Sequence, residues 1–165
     1  MTRTLLLVRH AKSSWDNLLL ADKDRPLNAR GERVSLAMGK YLTEHKLLPD
    51  LVYSSPALRA WQTTLRLTYA FPQPVDIHIN DGLYEAESAD WWATIRALPD
   101  EAQCVLLTGH NPALHLLLSE LADFVIPKFP TCCVAVVEVS SPHWADMQRA
   151  DVRVRELLLP KKLGL

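Results

Sequence analysis

Two histidines and two arginines lie in stretches whose residue types suit phosphoryl chemistry. The stretches are Arg9-His10, Ser54-Ser55-Pro56-Ala57-Leu58-Arg59 and Gly109-His110-Asn111-Pro112. A neutral imidazole can attack phosphorus directly and split one difficult displacement into two easier ones. A guanidinium can hold the equatorial oxygens of the transferring group with forked, bidentate donors. His10 is therefore the candidate nucleophile, Arg9 its first clamp, and Arg59 and His110 the further groups of a site for a tetrahedral dianion. Arginines in that role require no metal or cofactor, and the chain offers no acidic cage for a metal. Taken alone, Arg9-His10 is no more than a solvated strand end, so the elements around it must decide.

Those elements share one plan: a strand, a short polar junction, then a helix. The apolar run Leu5-Leu6-Leu7-Val8 stops abruptly at Arg9-His10, the pattern of a buried strand delivering its last residues to a sheet edge. Asn28 caps a predicted helix to about Glu44, in which Val34, Ala37, Met38, Tyr41 and Leu42 recur at helical spacing. A short strand follows over Asp50–Tyr53. Ser55-Pro56 is a helix start with serine as cap, and that helix is expected to reach Thr68 with Leu58, Trp61 and Leu65 inward. Val75–Ile79 alternates as a short strand, and Ser88 caps a helix through Trp92, Ile95 and Leu98. Cys104–Leu107 is a second central strand, after which Asn111-Pro112 starts a helix to Leu121. Thr131–Val139 and Val152–Leu158 are the last strands, paired with each other. Alternating strands and helices predict an α/β three-layer αβα sandwich with a mostly parallel central sheet, residues 1–165 forming one domain. In such sheets ligands gather at the carboxyl ends of strands, where helix N-termini favour anions.

Composition sets the outer bounds. With 165 residues, 48% hydrophobic and 22% charged, the chain can bury a single core. Lys and Arg number 18 against 19 Asp and Glu, so no global field attracts nucleic acid or a membrane, and anion binding must come from local arginines. Neither a signal peptide nor a membrane span is predicted, and a cytoplasmic monomer is expected. Cys104, Cys132 and Cys133 show no CxxC spacing and are expected to be reduced, buried thiols. His45 and His143 fit the surface, His78 a structural strand position, and His115, among Leu114, Leu116, Leu117 and Leu118, a packed helix.

Four motifs occur in order: Leu7-Val8-Arg9-His10-Ala11, Arg25-Pro26-Leu27-Asn28 with Gly31, Ser55-Pro56 with Arg59-Ala60 and Gln62-Thr63, and Gly109-His110-Asn111-Pro112. Together they resemble the histidine phosphatase superfamily, with its phosphoglycerate mutase-like fold. Arg9-His10-Ala11-Lys12-Ser13 and the compact length resemble its SixA-type phosphohistidine phosphatase branch. The resemblance implies that His10 becomes phosphorylated, that Arg9, Arg59 and His110 line the phosphate pocket, and that Arg25 reaches in from the loop before the first helix. Lys12, Ser13 and Asn111 adjoin these positions and are candidates to touch substrate. Many members have glycine where this chain has Ala11, a small intrusion that the SixA-like branch shares.

Phosphomonoesterases of the superfamily usually supply a carboxylic acid to protonate the leaving alkoxide. The matching place is Leu83-Tyr84-Glu85, which makes Glu85 the candidate acid, with Asp81 and Glu87 beside it; the alternative is a solvated loop carboxylate. The imidazole of phosphohistidine leaves more readily than an alkoxide, so a weak acid suits phosphohistidine. The interval from Arg59 to His110 has little room for a large lid, so the pocket could admit a protein side chain. The expected function is a metal-independent phosphatase acting on phosphohistidine in proteins. The alternatives are a small-molecule phosphomonoesterase acting on sugar or nucleotide phosphates, and a non-catalytic phosphoprotein-binding module. Cysteine-phosphatase spacing fails, because the sixth residue after each cysteine is His110, Glu138 or Val139; Val34 stands where a P-loop needs glycine.

Overall fold

The computed structural model describes residues 2–165. Six strands, β1 (Arg3–Arg9), β2 (Leu51–Ser54), β3 (Asp76–Ile79), β4 (Cys104–Gly109), β5 (Val134–Val139) and β6 (Val152–Leu158), form one sheet in the order β3-β2-β4-β1-β5-β6. Strands β3, β2, β4 and β1 are parallel, β5 runs antiparallel to β1, and β6 antiparallel to β5. The helices are α1 (Ala29–Glu44), α2 (Leu58–Tyr69), α3 (Ser88–Arg96), α4 (Ala113–Leu121) and a short α5 (Pro160–Leu163).

Because successive strand residues point to opposite faces, β1 feeds two cores. Leu5 and Leu7 pack with Trp91, Ile95, Leu114 and Leu117 of α3 and α4. Leu6 and Val8 pack with Val34, Met38, Leu42 and Leu67 of α1 and α2. The result is the expected three-layer α/β sandwich. No helix of the described residues is long and apolar enough to cross a membrane. All three cysteines are free, Cys132 and Cys133 buried and Cys104 half-buried.

Several sequence-derived boundaries and faces shift. Asn28 caps α1 as expected, its side chain accepting from Gly31 N–H at 2.8 Å. Ser55 does not cap α2, which starts three residues later with Ala57 at the cap position. The buried face of α2 is Arg59, Ala60, Thr63, Thr64 and Leu67, while Leu65 is exposed and Leu58 and Trp61 are half-buried. Hydroxyls make this possible: Thr63 and Thr64 donate to the carbonyls of Arg59 and Ala60 four residues back, at 2.7 and 2.9 Å, so both threonines pack inward with their hydroxyls satisfied. Glu87, in a capping box with Asp90, caps α3 in place of Ser88. Asn111 does not cap α4; Pro112 holds that position. Strand β5 begins at Val134 because Cys132, with φ of 60°, turns the chain just before it.

Candidate active site

Strand register assembles the site. Arg9 pairs with Gly109 across β1 and β4, and Ser54 pairs with Thr108 across β2 and β4. The ladder runs one step further, with His10 N–H donating to Gly109 C=O at 3.0 Å and Ser55 N–H to Thr108 C=O at 2.9 Å. The three chemistry-bearing stretches thus end side by side at the carboxyl edge of the sheet. Gly109 is needed there for space: a Cβ on it would lie 2.4 Å from the ring of buried Trp91.

His10 is buried, and its ring centroid lies 5.1 Å from that of His110. Its Nδ1 lies 2.7 Å from the Ala11 carbonyl oxygen. A carbonyl only accepts, so Nδ1 carries the proton and Nε2 keeps its lone pair. Burial lowers the His10 pKa to about 4; the Ala11 bond opposes this, and the charges of Arg59, Arg9 and Arg25 reinforce it. The ring is neutral at pH 7. Thr63 of α2 fixes the next backbone unit by accepting Ala11 N–H at 2.9 Å, and the Ala11 methyl is buried among the apolar residues beneath.

His110 Nε2 lies 2.8 Å from Ser55 Oγ, which also accepts from Ala57 N–H at 3.2 Å. The arrangement using both Ser55 capacities has its hydroxyl donating to Nε2, leaving the His110 proton on Nδ1, a buried atom with no partner. Burial, then the neighbouring His10 and Arg59, lower the His110 pKa to about 3. The sequence marks Ser55 as a helix cap and a member of the Ser55-Pro56 motif, but its contact with His110 shows only when the strands align.

Arg59, also buried, projects from the first turn of α2 and donates to the Asp22 backbone carbonyl at 2.7 Å and to the Asp22 carboxylate at 3.0 Å. That carboxylate also accepts from Tyr84 Oη at 2.8 Å and from Arg25 Nε at 3.4 Å. Burial pushes the Asp22 carboxyl up, but the Tyr84 and Arg59 hydrogen bonds and the nearby charges outweigh it and hold it below the usual carboxylate range. Sequence reasoning missed Asp22 altogether. It lies in a polar loop without periodicity, and its spacing of three from Arg25 was the only signal.

The remaining candidates divide. Arg9 donates to Phe129 C=O at 3.2 Å, and its Nε and that of Arg59 are buried N–H donors without a protein partner. Arg25 is buried, donates to Ser13 Oγ at 2.8 Å and stacks 3.6 Å over the Trp15 ring. Ser13 is thereby held as a support for Arg25. A pocket of about 200 Å³ is lined by Asp22, Arg59, Tyr84, Glu85, His110 and Asn111 among others. Glu85 is exposed on its rim with a left-handed φ of 52°. Asn111 donates to Phe129 C=O at 2.8 Å. Lys12 does not join this pocket; it is exposed and lines a separate groove beside α1. His115 Nε2 donates to Ile126 C=O at 2.7 Å, as a packed helix histidine. Among the described residues no group of three His, Cys, Asp or Glu is placed to hold a metal ion.

The family model of the histidine phosphatase superfamily (branch 1) matches residues 5–94. An uncharacterized protein of Mycobacterium tuberculosis is 32% identical over 151 residues, covering 86% of this chain and 92% of that protein. SixA from Agrobacterium tumefaciens superposes with a TM-score of 0.80 at 32% identity, over 96% of this chain and 99% of that one. SixA from Nakamurella multipartitia superposes with a TM-score of 0.84 at 28% identity, over 97% of each chain. The strand-end constellation sits on the fold these proteins share, and the chain belongs to the histidine phosphatase superfamily as a phosphatase.

Proposed function

We propose that this phosphatase hydrolyses phosphohistidine in proteins, through a phosphohistidine intermediate on His10 and without a metal. His10 Nε2 attacks phosphorus while the bond from phosphorus to the substrate imidazole breaks, and that imidazole leaves as it takes up a proton. Water then attacks the phosphorus on His10, releasing inorganic phosphate and the free ring. Arg9 and Arg59 hold the equatorial oxygens, and the His110 Nδ1–H is a third donor to them. The observation that carries this reading is the His10 Nδ1 bond to the Ala11 carbonyl, because it fixes the tautomer and leaves a neutral Nε2 with its lone pair available.

Two features favour a protein substrate. The chain between Arg59 and His110 is taken up by α2, β3, α3 and β4, with no inserted lid to enclose a metabolite. The SixA proteins that match this chain nearly end to end are named for phosphohistidine phosphatase activity. One observation favours the second reading, a small-molecule phosphomonoesterase: Glu85 stands on the pocket rim, where a general acid would protonate a leaving alkoxide.

Rates on a phosphohistidine protein, an aryl phosphate and a panel of metabolite esters separate the two readings. The wild-type enzyme is expected to prefer the phosphohistidine protein. Glu85→Gln should slow alkyl ester hydrolysis on the order of a hundredfold, the usual size of a lost general acid, and leave phosphohistidine turnover nearly unchanged. Equal losses on both substrate classes would refute the phosphohistidine assignment. EDTA should leave the rate unchanged; strong inhibition would refute the metal-free scheme.

A further inference from the structure

A second concentration of positive charge lies beside the site just described. Two adjoining cavities, of about 210 and 40 Å³, share Arg30, Thr131, Pro160 and Lys161 and form one groove. Five of the chain's 18 basic residues line it: Lys12, Arg30, Lys128, Lys161 and Lys162. No Asp or Glu side chain is among its lining residues. All five cations are exposed, and none makes a salt bridge or side-chain hydrogen bond among the described residues. In a chain whose net charge is −1, such a cluster is a local attractor for anions. Its floor includes Pro130, Leu159 and Pro160, so the groove is amphipathic, not merely charged.

The groove is tied to the nucleophile's own backbone. Cys132 N–H contacts the Arg9 and His10 carbonyls at 3.0 and 3.1 Å, and Gly31 of α1 packs so tightly on the Lys12 carbonyl that a Cβ would collide with it. Sheet order gives the separation. The pocket holding Arg59 and His110 lies on the β2 and β4 side of β1, whereas Val134 and Leu158, paired with each other next to the end of β1, put the groove on the β5 and β6 side. At the usual spacing of about 4.8 Å between strands, the end of β6 stands roughly 10 Å from the end of β1. An extended chain covers that distance in about three residues.

We propose that this groove docks an acidic segment of the phosphoprotein substrate, about three or more residues from its phosphohistidine. The inference rests on the protein-substrate reading and adds to it a partner chemistry: carboxylate side chains on the cationic rim, with an apolar residue on the proline and leucine floor.

The test uses the full chain and the charge reversals Lys128→Glu, Lys161→Glu and Lys162→Glu together, all at exposed positions. On a phosphohistidine protein with acidic flanking sequence, kcat/KM should fall about tenfold or more through KM, the order expected for reversing several steering charges, with kcat unchanged. The rate on a small aryl phosphate should not change. A fluorescent acidic peptide lacking phosphohistidine should bind the wild-type protein at low ionic strength, lose affinity in high salt, and fail to bind the triple variant. Unchanged KM, equal losses on both substrates, or binding of inorganic tripolyphosphate without binding of the peptide would each overturn the proposal. Peptide binding is read without turnover. A wild-type enzyme that ignores phosphohistidine proteins yet binds the peptide through these lysines would therefore refute the substrate assignment and keep the docking site.

Discussion

Arg59 is already engaged by an anion of the protein itself, which makes Asp22 an informative residue to perturb. Its carboxylate lies 3.0 Å from the Arg59 guanidinium and is held there by Tyr84 at 2.8 Å. On the role proposed for Arg59, a phosphoryl dianion gripped by the same guanidinium must come close to that carboxylate, and two anions sharing one cation repel. For unit charges about 4 Å apart at an effective dielectric of 20, the interaction is about 4 kcal/mol. The Asp22 side chain is 53% exposed. Solvent therefore screens the repulsion heavily, to about 1 kcal/mol, as measured for exposed pairs. That corresponds to about fivefold in affinity.

Asp22→Asn keeps an oxygen for Arg59 and Tyr84 but removes the charge. It should tighten competitive inhibition by phosphate, vanadate or tungstate about fivefold at neutral pH. Added salt should shrink the gain, because the repulsion being relieved is itself screened. Because the neighbouring donors keep the Asp22 carboxyl below the usual carboxylate range, the gain should persist undiminished down to about pH 5. The assay is the inhibition constant against an aryl phosphate, measured for both proteins across ionic strength. Weaker inhibition of the variant would refute the reasoning, and would mean that the Asp22 charge holds Arg59 in its binding position more than it opposes the incoming anion.

Further outcomes follow from the same geometry. His10→Ala should abolish turnover and the acid-labile, base-stable phosphoenzyme while leaving the melting temperature nearly unchanged; substantial residual activity would mean that another residue accepts the phosphoryl group. Arg59→Ala should cost on the order of a hundredfold in kcat, as for other lost transition-state donors. Ser55→Ala removes the 2.8 Å contact that fixes the His110 tautomer and should lower kcat about tenfold with little change in KM, a loss of the size of one hydrogen bond to a reacting centre; a KM effect alone would contradict it. Gly109→Ala puts a methyl 2.4 Å from the Trp91 ring and should destabilise the protein by about 1–3 kcal/mol, the usual cost of overpacking, read as a lower urea midpoint. His10 and His110 have folded pKa values lowered to about 4 and about 3. Between those values and about 6.5 the unfolded chain binds more protons than the folded one, so stability should fall as pH drops through that window. Urea midpoints at pH 7, 5.5 and 4.5 test this, and His110→Asn should flatten the slope.

The features legible in the sequence are those set by contiguous residues. The apolar run ending at Arg9-His10, the Asn28 cap and the alternation of strands and helices each follow from local pattern, and they suffice for the α/β layering. Helix α2 shows where local pattern fails. Its apolar residues Leu58, Trp61 and Leu65 repeat at helical spacing, yet the buried face holds Arg59, Thr63 and Thr64. Hydropathy measures the cost of burying an unsatisfied hydroxyl; here each threonine hydroxyl donates to a carbonyl of its own helix, so that cost is absent. Ser55 was legible as a serine before proline, but its partner His110 is 55 residues away and becomes a neighbour only through β2 and β4. Asp22 and Tyr84 come from two loops that meet only in the folded chain.

The supports behind the two histidines share a chemical character with a consequence for reactivity. His10 is held by a backbone carbonyl and His110 by a serine hydroxyl, and the shell behind them is built from neutral groups. Thr64 Oγ1 lies 2.9 Å from Thr108 Oγ1, Ser54 donates to the Ser55 carbonyl, and Thr63 links Ala11 N–H to the Arg59 carbonyl; all five residues Ser54, Ser55, Thr63, Thr64 and Thr108 are fully buried. A carboxylate in any of these places would stabilise the imidazolium and raise the histidine pKa values. It would also compete with phosphate for Arg9 and Arg59. Hydroxyls and carbonyls position the rings without adding charge, so burial and the arginines are left to keep both imidazoles neutral. On the role proposed for His10, that neutrality makes it a nucleophile at physiological pH. Asp22, the carboxylate that binds Arg59, is half exposed to solvent and makes no hydrogen bond to either histidine among the described residues. An acid introduced behind them, as in Ser55→Asp, should therefore raise the His110 pKa toward neutrality. NMR titration of the ring resonances would show it, and an unchanged pKa would mean that burial alone sets the protonation state.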